Sequence, residues 1–378
     1  MLNRHPWLFT GAIRSIGNAQ NGDIVEVRSS KNELLGYGHF NNHSQIICRI
    51  FEFTDAPQQI DEDYWRKKID LAYNFRDRHI DFGQTNGYRL INAEGDHFPG
   101  VIVDRYNDTA VMQLRTPGTG PLNHLLAEHL QEQYGIRHIY DKSHKGGPDA
   151  AEDEIIGWIT PEPDGPVQFK EHQLNFLASP GEGQKTGYYL DQRENRGLVG
   201  KYAEGRTVLD SFTYAGGFGA HALRGGAREV ISVDASETAI DLCKANVRNN
   251  FGATDKHRTE VADCFDYLRN MPEGKFDCIV LDPPAFTKHI STVKKATRGY
   301  KDINLNAMRK IRPGGLLFTF SCSQHISKDL FRKVVFSAAA DAGRKVRIID
   351  QVGQPIDHPV DIFHPEGEYL KGLVLSVD

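Results

Sequence analysis

The feature that most constrains the fold is a strand–turn–helix unit in the second half of the chain. Thr207-Val208-Leu209-Asp210 is a short apolar run ending in an acid, and Phe212-Thr213-Tyr214-Ala215-Gly216-Gly217-Phe218-Gly219 follows almost at once. An apolar run closed by a glycine-rich turn that opens a helix predicts a strand buried on both faces, the kind found in parallel sheets. The pattern continues. Residues 229–234 read as a second strand and 236–250 as a helix with Ser236 as its N-cap. Residues 276–282 and 316–320 read as further strands, each followed by helix, and 373–377 as a last strand. This alternation predicts an open, mostly parallel α/β sheet over residues 169–378.

The rest of the chain reads differently. At 378 residues it exceeds one ordinary domain. Over residues 1–72, short alternating runs at 23–27 and 45–50 stand between the turn signals Asn21-Gly22 and Gly36-Tyr37-Gly38, which predicts a small all-β unit left by a helix over 61–78. Residues 73–168 mix strands at 101–103 and 110–114 with an amphipathic helix at 122–134, a small α+β unit. It closes in the acidic 151–154 and the proline-rich 161–166.

Composition narrows the class. At 39% hydrophobic and 25% charged, with no long uncharged apolar run, the chain reads as globular and not membrane-spanning. The N-terminal run has no long apolar core behind its charges, so no signal peptide is expected. Five cysteines without CxxC pairing argue against a disulfide framework or a metal site, and fit a reducing, cytoplasmic setting.

The glycine turn points to a ligand, because glycines let a backbone approach one closely. Asp234 ends the next strand, 18 residues after Gly216, near the spacing at which an acid meets ribose hydroxyls. The run is flanked by Phe212 and Tyr214 and lacks the G-x-G-x-x-G spacing that holds a pyrophosphate, so a nucleoside without phosphates fits better. S-adenosylmethionine is such a ligand. Val261-Ala262-Asp263-Cys264 ends the third strand, where the Asp263 side chain can take the adenine amine, and Gln192 and Arg193 stand in a polar, aromatic stretch upstream. Asp210, Phe212, Tyr214, Gly216, Gly217, Asp234, Asp263, Asp282, Gln192 and Arg193 form the expected cofactor set.

The expected chemical centre follows the fourth strand. In Asp282-Pro283-Pro284-Ala285-Phe286 the prolines fix the backbone and remove amide donors, leaving Asp282 and carbonyls to accept hydrogen bonds and Phe286 to stack on a planar base. The next strand ends in Phe320-Ser321-Cys322-Ser323. Carbon 5 of a pyrimidine is a poor nucleophile, but a thiolate adding at carbon 6 makes the ring an enamine that can take a methyl group. Cys322 is the candidate for that attack. The bland alternative is a buried core cysteine, as Cys48, Cys243 and Cys278 read.

The net charge of −5 hides a local patch. Residues 285–312 hold Lys288, Lys294, Lys295, Arg298, Lys301, Arg309, Lys310 and Arg312 against one acid, Asp302, a net +7. Such patches bind phosphate backbones. Its first half, residues 287–298, is poor in apolar residues and reads as a loop over the site. Pro283, Phe286, Lys288, Lys294, Lys295 and Arg298 are the expected substrate contacts. A base buried in folded RNA has to be flipped out to reach Cys322.

Gly187-Tyr188-Tyr189-Leu190-Asp191-Gln192-Arg193, the 212–218 turn, the Asp282 loop and Phe320-Ser321-Cys322-Ser323 together resemble the bacterial ribosomal large-subunit RNA cytosine-5 methyltransferase I family. Residues 4–13 resemble that family's entry into an N-terminal PUA domain. Residues 86–90 and 98–104 resemble its α+β linker. The resemblance implies a PUA-like RNA-binding β-barrel over 1–72, an α+β linker over 73–168 and a class I Rossmann-like methyltransferase domain over 169–378. It implies S-adenosylmethionine as cofactor, 23S rRNA or a large-subunit precursor as partner, a possible homodimer, and Cys322 and Asp282 as catalytic residues. Many other RNA cytosine-5 methyltransferases carry a second cysteine in the Asp282 loop; Ala285 and two prolines stand here. Residues 1–70 hold eight basic and nine acidic side chains, so an RNA-binding role there rests on the resemblance. Two rival readings are N-methylation of guanine or adenine by the Asp282 loop alone, and an inactive RNA-binding assembly factor.

Overall fold

The computed structural model describes residues 4–144, 155–287 and 289–378, and they form two compact units. One comprises the chain up to Gln173 with Leu177–Leu190 and Ile356–Gly367; the other comprises Leu174–Phe176, Asp191–Pro355 and Glu368–Asp378. The acidic 151–154 and Lys288 lie outside the described residues. No helix among the described residues is long and apolar enough to cross a membrane.

The first unit holds two sheets. Strands β1 (Trp7–Phe9), β2 (Ile24–Arg28), β3 (Leu34–Phe40) and β4 (Ile46–Glu52) pair antiparallel in the order β1-β4-β3-β2. Helix α1 (Glu62–His79) follows. Asp61 caps it by accepting from the Tyr64 amide; Glu62 and Asp63 sit in its first turn and Arg76, Arg78 and His79 in its last, the arrangement the helix dipole favours. The second sheet runs β5 (Gly87–Asn92), β6 (Val101–Tyr106), β7 (Thr109–Leu114), β8 (His138–His144), β9 (Ile155–Trp158) in sequence order. Only β7 and β8 are parallel, and α2 (Asn123–Tyr134) connects them.

Helix α1 turns Trp65, Ile69, Ala72 and Arg76 inward, a helical stripe that ends in a charge. The buried Arg76 guanidinium forms a bidentate pair with Asp96 at 2.5 and 2.8 Å and donates to the carbonyls of Arg89 and Asp357. Arg89 in turn makes a bidentate pair with Asp104 at 2.7 and 2.9 Å, and its amide donates to the Asp357 carboxylate. Two buried arginines thus tie a segment near the C-terminus to the α+β sheet of this unit.

A two-stranded hairpin, β10 (Val167–Glu171) and β11 (Leu174–Ala178), follows in the chain. The second unit then contains α3 (Arg193–Tyr202), β12 (Thr207–Ser211), α4 (Gly217–Arg224), β13 (Glu229–Asp234), α5 (Glu237–Phe251), β14 (His257–Val261), α6 (Cys264–Asn270), β15 (Cys278–Leu281), α7 (Val293–Lys310), β16 (Gly315–Ser321), α8 (Lys328–Ala342), β17 (Val346–Gly353) and β18 (Lys371–Val377). Its seven strands lie in the order β14-β13-β12-β15-β16-β18-β17, parallel except that β18 runs antiparallel to both neighbours. Every residue of β12, β15 and β16 is buried. The order reverses between β12 and β15, and in open α/β sheets such a reversal leaves a crevice at the strands' C-terminal ends.

The expected loop over 287–298 is corrected in part: a 3-10 turn occupies Ile290–Thr292 and α7 begins at Val293. Ala296, Tyr300 and Ile303 are buried along its inner face, and that stripe outweighs the charged residues of its first turns.

Replacing Arg76 with methionine leaves the Asp96 carboxylate buried without its partner, and is expected to lower stability by about 3 kcal/mol. Replacing Arg28, paired with Glu26 on the surface, is expected to change it by less than about 1 kcal/mol. Urea unfolding followed by circular dichroism measures both.

Candidate active site

The glycine turn is held by one carboxylate. Asp210, fully buried near the end of β12, accepts through Oδ2 from the Thr213 hydroxyl at 2.5 Å and from the Gly219 amide at 2.9 Å, so it grips both ends of the turn. Burial pushes its pKa up to about 6. Phe212, Tyr214 and Gly216 all take positive φ, and a Cβ on Gly216 would lie 2.5 Å from Cys243 Sγ. Only glycine fits that position. At the end of β13, Asp234 accepts from the amides of Tyr214 and Ser236, both at 3.0 Å, which ties the turn to the neighbouring strand. Gly217 opens α4 and is buried. Asp263 is exposed two residues beyond β14 and caps α6 by accepting from the Asp266 amide at 3.0 Å.

Gln192 is buried at the entry to α3. Its amide donates to Asp282 Oδ1 at 2.8 Å, while Asn195 donates to Gln192 Oε1 at 2.5 Å. Arg193, also buried, pairs with Glu194. Asn195 was not singled out from the sequence, where a lone asparagine inside a helix carries no signal.

Parallel pairing brings the Asp282 loop and the Cys322 segment together. Leu281 lies beside Ser211 on one side and Thr319 on the other, so the loop after β15 emerges between the glycine turn and the end of β16. Cys322 follows β16, half-buried, with its thiol 3.9 Å from the Pro283 carbonyl. The other four cysteines are buried: burial pushes Cys48, Cys243, Cys264 and Cys278 each up to about 12, as inert core thiols. Asp282 is half-buried, Pro283 buried, and Pro284 and Ala285 exposed. Phe286 is half-buried, its ring 4.5 Å from Tyr300 and 5.6 Å from Phe265 between centroids, and Gly299 lies against it.

The basic run divides in two. Lys301 pairs with Asp341 and Arg312 with Asp277, while Lys310 and Arg309 donate to backbone carbonyls. Lys294, Lys295 and Arg298 instead stand exposed on the first turns of α7, with no acid in the first turn and no ion pair within 4.0 Å among the described residues. Cations at a helix N-terminus oppose the dipole, and Lys294 and Arg298 at i and i+4 repel. No group of three metal-ligating side chains occurs among the described residues.

These residues fit a nucleoside-bearing sulfonium. The Asp210 Oδ1 oxygen is buried without a hydrogen-bond partner among the described residues, and carboxylates lie at or just beyond the C-terminal ends of β12, β13, β14 and β15 around a turn that needs glycine at Gly216. The comparisons agree. A model of S-adenosylmethionine-dependent methyltransferases matches residues 131–366, and one of PUA-like domains matches residues 1–53. The ribosomal RNA large subunit methyltransferase I of Tolumonas auensis is 41% identical over 99% of this chain and 96% of its own; that of Aeromonas hydrophila is 40% identical with the same coverage. A solved candidate methyltransferase, SMU.776 complexed with SAH, shares the fold at a TM-score of 0.84, 21% identity, covering 100% of this chain and 96% of its own. The chain therefore belongs to the S-adenosylmethionine-dependent methyltransferases and, among them, to the family of the ribosomal RNA large subunit methyltransferase I proteins.

Proposed function

We propose that this protein methylates carbon 5 of a cytosine in 23S rRNA, with Cys322 as the nucleophile. The observation that carries the reading is the meeting of Cys322, the half-exposed cysteine of five, with the Asp282 loop at the crevice where the sheet order reverses. Bound S-adenosylmethionine supplies an electrophilic methyl group and leaves as S-adenosylhomocysteine. The Cys322 thiolate adds to carbon 6, its electron pair forming the S–C bond while the ring's double bond shifts to make carbon 5 nucleophilic. Carbon 5 takes the methyl group and then gives up its proton; the electron pair of that C–H bond restores the double bond and expels the thiolate. Asp282, steadied by Gln192 and Asn195, accepts from the cytosine amine. Asp210 and Asp234 shape the cofactor turn, with Asp234, Asp263 and the turn itself (Phe212, Tyr214, Gly216, Gly217) around the nucleoside and Gln192 and Arg193 beside it.

The names of the relatives support rRNA as substrate, and the exposed Lys294, Lys295 and Arg298 offer phosphate contacts beside the Asp282 loop. We read three modules along the chain, 1–72, 73–168 and 169–378, of which the last gives Leu177–Leu190 and Ile356–Gly367 to the first compact unit. The two separate sheets within the first unit support the first boundary. The reaction belongs in the cytoplasm with its RNA.

Transfer of labelled methyl to unmodified 23S rRNA, followed by nucleoside digestion and mass spectrometry, tests the reaction. Wild type is expected to yield 5-methylcytidine. Cys322→Ala is expected to lose at least about 10³-fold in rate while binding S-adenosylmethionine normally; a methylated purine, or 5-methylcytidine from both proteins, contradicts the reading. Replacing Lys294, Lys295 and Arg298 together with alanine is expected to weaken RNA binding and to flatten its log–log salt dependence by about 2, with turnover at saturating RNA unchanged. A filter-binding titration over a salt series reads it.

A further inference from the structure

Antiparallel pairing sets Lys371, the first residue of β18, opposite Ser321, the last of β16. The Lys371 side chain is buried, and its ammonium donates to the carbonyls of Ser323 at 2.7 Å and Ile326 at 2.5 Å, in the segment that follows Cys322. The backbone of residues 322–326 therefore curls around a buried cation. Two neutral carbonyls take two of its three N–H donors and leave its charge unbalanced, and a buried charge is costly unless an anion faces it. The carboxylate near it, Glu368, is already paired with Lys328 at the surface.

We propose that Lys371 is the positioning residue for Cys322, holding the nucleophile's segment in place and favouring its thiolate form. This rests on the reading of Cys322 as nucleophile. The groups around the thiol fit the assignment. From α7, Tyr300 points its hydroxyl at Ser323 Oγ at 2.9 Å, and burial raises its pKa, so it is neutral. From the loop after β15 come the Pro283 carbonyl and Asp282. From the segment itself comes His325, exposed, and from the start of α8 Lys328, held by Glu368. Lys371 is the buried cation among them. Burial lowers its own pKa to about 8, against the pull of Cys322 and Glu368 and with Lys328 adding to the fall.

The test is the pH dependence of Cys322 alkylation by iodoacetamide in the full-length protein, read on the Cys322 peptide by mass spectrometry; the other cysteines are buried and do not interfere. Lys371→Met is expected to raise the midpoint by about one pH unit, about tenfold less thiolate at neutral pH. Lys371→Arg is expected to keep the wild-type midpoint. Methyl transfer by Lys371→Met is expected to fall at neutral pH and to recover at higher pH, with KM for RNA unchanged, which a merely misplaced loop would not do. Lys371→Gln keeps N–H donors for the carbonyls without the charge and must shift the profile as methionine does. If Lys371→Gln alkylates like wild type, Lys371 only ties down the backbone and the proposal fails. Activity surviving in Cys322→Ala would overturn the nucleophile while leaving an alkylation shift intact, so the two failures are distinguishable.

Discussion

The Asp210 carboxylate is the constraint on which the candidate site depends. It is buried at the end of the central strand of a parallel sheet, and it accepts hydrogen bonds from residues at both ends of the turn that follows. Without that grip, the left-handed Phe212 and Tyr214 have no reason to persist, since that conformation costs energy outside glycine. Asp234 fastens the same turn to the next strand. The turn is thereby fixed before any ligand arrives, and a fixed cradle does not spend binding energy on its own ordering.

The second requirement is that two loops distant in sequence meet. Pairing of β12, β15 and β16 in adjacent positions decides this, because each strand delivers its C-terminal loop to the same edge. The Asp282 loop, stiffened by two prolines, then lies against Cys322, and Gln192 reaches Asp282 from the entry to α3. Sheet order, proline stiffness and one side-chain amide are together enough to assemble the site.

Much of this was legible in the sequence, for identifiable reasons. The β12 turn and the β13–α5 unit follow from apolar runs, glycine and a serine cap, all local signals. The nearness of Cys322 to the Asp282 loop follows once parallel order is granted. What escaped were features set by distant partners. The return of Ile356–Gly367 to the first unit rests on Arg76 and Arg89, whose carboxylate and carbonyl partners no pattern marks. The start of α7 at Val293 went against its charges and was decided by a buried face. Strand β17 is a largely exposed edge without clean alternation, and Lys371 gained meaning only from its register with Ser321.

The proposed covalent step can be tested directly. In an RNA substrate carrying 5-fluorocytidine, fluorine at carbon 5 cannot leave as a proton does, so a thiolate that has added to carbon 6 stays attached after methyl transfer. Incubation with S-adenosylmethionine, denaturing electrophoresis and peptide mass spectrometry should give a protein–RNA adduct on Cys322, dependent on the cofactor. An active protein that forms no adduct, or forms one on another residue, would contradict the mechanism.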